Sequence, residues 1–345
     1  MTTRTRNRWL WGATAGAGLL TAGWLLERRF KREIADDPEQ ALLASAPQGT
    51  VLRVTSADGT VLHAEAFGPT DGPPIVLGHG WTESLRFWIY QIKALSERGF
   101  RVIAYDLRGH GESNAAAGDD YSVDRFGEDL EAVLAQSLAP DQRAVVVGHS
   151  LGAMAIAAWA EHHDVQARAG AAVLVNTGVG DLLAEHLLIP VPAFAQAINR
   201  TLAVHGFLGN RAPLPRFSTP LSAAAIRYIA FGPAATPAQV AFFERMLIAC
   251  PPDVRANVGI ALSELELSDA LPRLTVPTTV IAGDRDRLTP PAHAERIAEM
   301  LPALEHLIVL EDTGHMAPIE RHDAVTNAIV ELAGRTQEAA STAAA

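Results

Sequence analysis

The chain opens on an apolar run without a single charge, Trp9 to Leu26 (WLWGATAGAGLLTAGWLL), set between basic flanks. About 18 such residues is near the short end of what crosses a bilayer as a helix. Trp9, Trp11 and Trp24 stand at its two ends, where indoles favour the headgroup interface. The run predicts a single N-terminal membrane span. A cleaved signal peptide fits less well, because ERRFKRE follows the run in place of a small-residue cleavage site. A buried core helix fits less well because charges cluster at both ends.

Beyond Ile34 the pattern changes. Residues 34–48 are polar and alanine-rich with Pro38 and Pro47, and read as a linker, a stalk or short helix leading off the membrane. TVLRVTSADGTVLHAEAF then alternates apolar and polar residues around Asp58-Gly59, which predicts a β-hairpin. Short apolar runs follow: IVLGHG from Ile75, RVIAYDL from Arg101, AVVVGHS from Ala144, AAVLVN from Ala171, TTVIAG from Thr278 and HLIVLE from His306. FWIYQIKAL and FGEDLEAVLAQSL, which lie between them, space apolar residues three and four apart, as amphipathic helices do. Strands buried on both faces and joined by helical crossovers predict a mainly parallel sheet in an α/β fold. Between about Gly178 and Leu271 the strands stop, and runs such as AAAIRYIAF and QVAFFERMLIA predict an all-helical insertion. The final stretch, RTQEAASTAAA, is low-complexity and is expected to be disordered.

Composition narrows the function. Of 345 residues 48% are hydrophobic, which excludes a mainly disordered chain. The one cysteine, Cys250, supplies neither a disulfide nor a metal-ligand cluster. The net charge of -11 disfavours nucleic acid as a partner. That charge is a composite: residues 1–33 hold seven basic and two acidic residues, a balance of +5, leaving 21 basic and 37 acidic residues, or -16, in the remainder. Three arginines precede the apolar run and four basic residues follow it, too even a balance to set which side of the membrane the body faces.

Chemistry enters at GHSLG, Gly148 to Gly152, placed where a strand ends and a small-residue helix begins. A tight turn there projects the Ser150 hydroxyl above the sheet, and the helix N-terminus favours negative charge. Serine is a weak nucleophile until a base takes its proton and a carboxylate holds the base. His315, after the last strand, is the candidate base, and Asp286 or Asp284, after TTVIAG, the candidate acid. These loops leave the carboxyl ends of strands, where open α/β sheets form their sites.

With these motifs in place the chain, over roughly residues 51–334, resembles the α/β-hydrolase superfamily of serine esterases and lipases. The resemblance is carried by HGW (His79 to Trp81), DLRGHGES (Asp106 to Ser113), GHSLGA, GDRDRLTP and GHMAP, with Ser, Asp and His in the family's order. It implies an α/β-hydrolase core over 49–177 and 272–334 and a helical cap over 178–271; the anchor over 1–33, the linker over 34–48 and the tail over 335–345 rest on the residue patterns alone. It implies Asp286 as the acid, fourth in a G-x-x-D stretch, and the backbone N–H groups of Trp81 and Leu151 as the oxyanion hole. A serine nucleophile implies a carboxylic ester hydrolase acting through an acyl-enzyme on a small-molecule ester, without cofactor or metal. The cap's Phe194, Phe207, Phe217, Tyr228, Phe231, Phe242 and Phe243 either line an apolar cleft for an acyl chain or form the cap's own core; such a cleft and the span favour lipid-like esters, as for a monoacylglycerol-lipase-like enzyme or a carboxylesterase. Two alternatives are a cofactor-free perhydrolase or haloperoxidase-type enzyme and a membrane-tethered binding protein on this scaffold. Oligomeric state is not set by the sequence. An acidic body on a basic-flanked anchor is expected to stay near the membrane without general adhesion of its surface.

Overall fold

The computed structural model describes residues 24–180, 182 and 208–344, with side chains to residue 336. The apolar run Trp9–Leu26 lies, as far as residue 23, outside the described residues, as do Phe194 and Phe207. Residues 24–35 are helical, and among the described residues no helix is long and apolar enough to cross a membrane.

An antiparallel hairpin begins the sheet, β1 (Thr50–Thr55) pairing with β2 (Val61–Phe67). Its turn holds Gly59 at φ 88°, a conformation that residues with a Cβ rarely adopt. The strands β3 (Pro74–Gly78), β4 (Arg101–Tyr105), β5 (Ala144–His149), β6 (Ala169–Val175), β7 (Thr278–Gly283) and β8 (Leu304–Leu310) complete a sheet of order β1-β2-β4-β3-β5-β6-β7-β8. Strand β2 runs antiparallel to β1 and β4; every other pairing is parallel.

Both faces of the sheet are covered. Ile75, Leu77, Val145 and Val147 point into one hydrophobic cluster with α1 (Ile89–Glu97) and α8 (His322–Ala344). Val76 and Val146, one residue out of phase, point into the other with α2 (Val123–Ser137), α3 (Leu151–His162) and α7 (Pro291–Met300). Apolar residues at every position are the consequence of two buried faces. Strand β8 departs from the expected doubly buried pattern: it is the sheet's edge, and Leu307 and Val309 are 37% and 45% exposed.

Between β6 and β7 the described insertion is helical: α4 (Pro220–Ala230), α5 (Pro237–Ala249) and α6 (Pro252–Ser263). Thr219 and Thr236 close capping boxes at the starts of α4 and α5, and each of the three helices carries proline in its first turn. The ends of the insertion are stitched together, Gly180 bridging Glu266 and the Leu267 N–H reaching the Val179 carbonyl at 2.6 Å.

Two segments differ from expectation. Residues 34–48 contain a short helix, Gln40–Leu43, and pack on the body in place of standing free as a stalk. Leu43 is buried and its carbonyl accepts from Arg245 (3.3 Å), Glu39 accepts from Gln239 on α5 (2.8 Å), and the Pro47 carbonyl accepts from Arg86 (2.7 Å). The backbone of α8 is helical through Ala344, over most of the stretch read as a disordered tail. Its alanines, Gln337 and Glu338 are good helix formers.

Candidate active site

Strand β5 runs straight into Ser150, whose φ of 49° and ψ of -114° make the turn into α3. The turn is tight enough that a Cβ on Gly148 would lie 2.4 Å from the Ala153 nitrogen, and one on Gly152 2.3 Å from the Gly78 carbonyl oxygen. Only glycine fits both places, so the G-x-S-x-G spacing is a packing requirement of the crossing backbones. The Ser150 N–H donates to the Val175 carbonyl (2.9 Å) and the Ser150 carbonyl accepts from the Thr177 hydroxyl (2.9 Å), which ties the turn to the end of β6.

His315 lies in the loop after β8, 4% exposed, with Nδ1 2.8 Å from Asp286 Oδ2. Its N–H donates to the Ala230 carbonyl at the end of α4 (2.8 Å), and its carbonyl accepts from Nε2 of His149, the residue before Ser150 (2.8 Å). The two rings are 4.9 Å apart, so the His315 loop abuts the serine turn.

Asp286 accepts the N–H groups of Leu288 (2.8 Å) and Thr289 (2.9 Å) on Oδ1, and Asn176 Nδ2 (2.9 Å) and the Thr289 hydroxyl (2.8 Å) on Oδ2. Burial alone would raise its pKa, but the His315 charge and hydrogen bond, with these donors, hold it down to about 2. Asp284, the other carboxylate left open by the sequence, is turned away. It accepts from the Thr313 N–H (3.1 Å) and faces Arg285 (3.5 Å).

The two candidate oxyanion donors lie on different elements, Trp81 in the loop after β3 and Leu151 at the start of α3. Among the described residues no acceptor bonds the N–H of Trp81 or of Leu151. Leu151 opens α3, where N–H groups have no helical partner. The Trp81 indole donates to the Arg255 carbonyl on α6 (3.1 Å), so the loop bearing it is braced by the insertion. The next residue, Thr82, has φ 64° and donates its N–H to His110 Nε2 (3.2 Å).

Several supporting residues escaped the sequence reading. Asn176 sits at φ 46° just past β6 and donates to both Asp286 and the Gly314 carbonyl (3.2 Å). Its only signal was its position after an apolar run. Glu320 accepts the N–H of Gly314 (3.0 Å) and of Gly232 (2.7 Å), joining the His315 loop to the end of α4; its burial raises its pKa. Glu83 accepts the Gly80 N–H (2.6 Å) and faces His149 Nδ1 (3.1 Å). Burial would lower the His149 pKa, but Glu83 and the His315 carbonyl raise it. His79 and His110 differ: burial lowers both, His110 to about 4, and each uses one nitrogen as an acceptor, from Leu107 N (3.0 Å) and Thr82 N. Among the described residues no group of three or more His, Cys, Asp or Glu converges as metal ligands would.

Residues 73–322 match the family model described as the alpha/beta hydrolase fold. The chain belongs to the α/β-hydrolase family. This α/β-hydrolase is 31% identical over 267 residues to a non-heme haloperoxidase of Rhodococcus erythropolis, covering 76% of this chain and 92% of that protein. It is 32% identical over 248 residues to a non-heme chloroperoxidase of Burkholderia pyrrocinia, covering 70% and 84% respectively. Among solved structures it is similar to a thermophilic esterase of Thermogutta terrifontis, with a TM-score of 0.65 at 26% identity over 83% of this chain and 98% of that one.

Of the aromatic residues expected to line an acyl cleft, Phe231, Phe242 and Phe243 are buried in the core, and Phe217 and Tyr228 are 68% and 60% exposed. The described aromatics of the insertion thus build its own core or face outward.

Proposed function

We propose that this α/β-hydrolase is a serine hydrolase of carboxylic esters, with Ser150 as nucleophile, His315 as general base and acid, and Asp286 as the carboxylate that orients His315. Ser150 Oγ attacks the ester carbonyl carbon as its proton passes to His315 Nε2, and the carbonyl electron pair becomes an oxyanion held by the N–H groups of Trp81 and Leu151. The C–O bond to the alcohol then breaks, and His315 returns the proton to the departing alkoxide. Water repeats the sequence on the acyl-enzyme and releases the acid. Each oxyanion donor is worth about 3 kcal/mol at the transition state. The observation that carries the reading is the buried Asp286–His315 hydrogen bond beside a serine held in a strained turn.

The substrates in this reading are hydrophobic, lipid-like esters, supported by the apolar run Trp9–Leu26, which would hold the enzyme at a bilayer as a single-pass anchor. A second reading, cofactor-free perhydrolysis, is favoured by the similarity to the two haloperoxidases. There hydrogen peroxide takes the place of water on the acyl-enzyme and releases a peracid.

Labelling with a fluorophosphonate tests the nucleophile: an adduct on Ser150, absent from Ser150→Ala of unchanged fold, is expected. An adduct elsewhere, or none, would overturn the reading. p-Nitrophenyl esters from acetate to palmitate, with and without peroxide, then rank chain length and separate water from peroxide as acceptor. Turnover restricted to acetate would remove the lipid-like substrate.

A further inference from the structure

The outward face of α4 is apolar where a soluble helix would be polar. Its exposed positions are Leu221, Ala224, Ala225 and Tyr228, at the spacing of one helical stripe, and Phe217 extends the stripe before the helix begins. Leu221 is 81% exposed. Isolated surface leucines are ordinary, but a contiguous apolar stripe marks a surface that meets something.

Charge indicates what it meets. No Asp or Glu occurs between Glu185 and Glu244, a stretch that holds Arg200, Arg211, Arg216 and Arg227, although the chain as a whole is acidic. Arg287 joins this group from the loop after β7, its guanidinium 4.5 Å from the Tyr228 ring and bonded to the Tyr228 carbonyl (2.7 Å). Of these, Arg227 on α4 itself and Arg287 against Tyr228 stand beside the stripe, whereas Arg211 pairs with Asp253 on α6; apolar side chains flanked by arginine suit a bilayer with anionic headgroups.

The path of the chain agrees. Phe30 and Ile34 of the N-terminal helix pack against the same hydrophobic cluster as Ala223 and Ala230, the inner face of α4, and Glu39 and Leu43 are bonded to α5. Trp24, Leu25 and Leu26, the end of the apolar run, are each more than half exposed. The helix that begins with residues 24–26, the described end of the run, therefore joins the body on the side of the insertion.

We propose that the outer face of α4 docks on the same bilayer that takes the N-terminal run, so that the insertion faces the membrane. This rests on the reading of Trp9–Leu26 as a span. Contact is confined to one stripe, while the acidic remainder of the surface stays clear of lipid. The stripe adjoins the site: Arg287 follows Asp286, and Ala230 at the end of α4 bonds the His315 N–H. Esters in the membrane thus meet the enzyme beside its candidate triad.

The test places an environment-sensitive fluorophore at Leu221→Cys in the full chain, with Asp141→Cys at the amino ends of the strands as the reference position. The native thiol does not compete, because Cys250 is buried and its pKa is pushed up to about 12. In vesicles containing phosphatidylglycerol, a blue shift and quenching by brominated lipid are expected at position 221 and not at 141. If the protein floats with the vesicles while position 221 stays wet, docking is overturned and the anchor stands. If the full chain does not float, the anchor reading fails and docking with it. A blue shift that depends on protein concentration without vesicles would make the stripe a self-association surface and also overturn the proposal. Leu221→Ser with Tyr228→Ser should lower turnover of a long-chain ester in vesicles by roughly tenfold or more, in line with the partition energy of the side chains removed. Turnover of a water-soluble short-chain ester should be unchanged, and an equal fall in both would show a folding defect and leave the fluorescence result to decide.

Discussion

At the residue scale the site depends on which groups are buried with partners. Asp286 gathers five hydrogen bonds, whereas Asp284, two residues away, has one backbone donor and a surface arginine. Asp286→Asn is expected to lower kcat for a p-nitrophenyl ester by several orders of magnitude and Asp284→Asn by less than tenfold, the triad carboxylate being worth about 10⁴ in kcat. The reverse ranking in steady-state kinetics would make Asp284 the acid and overturn the assignment to Asp286. The same partners make a pH prediction. Because the folded pKa of Asp286, about 2, lies below the ordinary value of 3.8, its contribution to stability is present above pH 4 and is lost as pH falls towards 2. Urea unfolding should show wild type losing about 2 kcal/mol more than Asp286→Asn between pH 5 and pH 2. The motif spacing made Ser150, His315 and the two aspartates legible in the sequence. Asn176 and Glu320 were not, since their roles exist only where β6, the His315 loop and the end of α4 converge.

At the element scale, the loop after β4 is held by a buried charge network. Arg108, fully buried, makes a bidentate pair with Asp129 on α2 (2.7 and 2.6 Å) and reaches Asp58 in the hairpin turn (2.8 Å). Three elements far apart in sequence are thereby fixed to one guanidinium, and through His110 and Thr82 the same loop braces the Trp81 turn. Arg108→Met would leave Asp129 buried and unpaired, and is expected to cost about 3–5 kcal/mol of stability in chemical denaturation. A loss below 1 kcal/mol would show that the network is dispensable. In sequence DLRGHGES read as a motif without a stated partner. Asp129 looked like one polar position of an amphipathic helix, because periodicity records which face a residue takes and not what it meets.

At the scale of the whole molecule the basic N-terminal segment and the acidic body carry opposed charges, and the proposed anchor can be told from a charge-held association by salt. We expect the full chain to stay with phosphatidylglycerol vesicles in 1 M salt and to be released by detergent. Salt at that concentration shortens electrostatic reach to about 3 Å but leaves an inserted apolar segment in place. Release by salt alone would show a peripheral, charge-held protein. Residues 34–48 also change meaning at this scale. Packed on α5 and bonded through Arg86, they make the link between the N-terminal segment and the body short and directed. Phe217 and Tyr228 of the apolar stripe were expected from the sequence to line a cleft, and Leu221 gave no such signal. A helix with alanine on both sides gives no sign of which face its tyrosine takes.

The mainly parallel sheet, the helical stretch between β6 and β7, the candidate nucleophile and base, and the pair of aspartates that includes the candidate acid were legible in the sequence alone. Period, turn chemistry and glycine spacing are local constraints, and the chain obeys them wherever it folds. The tertiary structure decided which of the two aspartates meets His315, the bracing of the Trp81 loop by α6, the exposure of β8 and the outward face of α4. Each of these depends on which distant segment supplies the neighbouring atoms, and long-range contact is set by packing in three dimensions rather than by the order of residues along the chain.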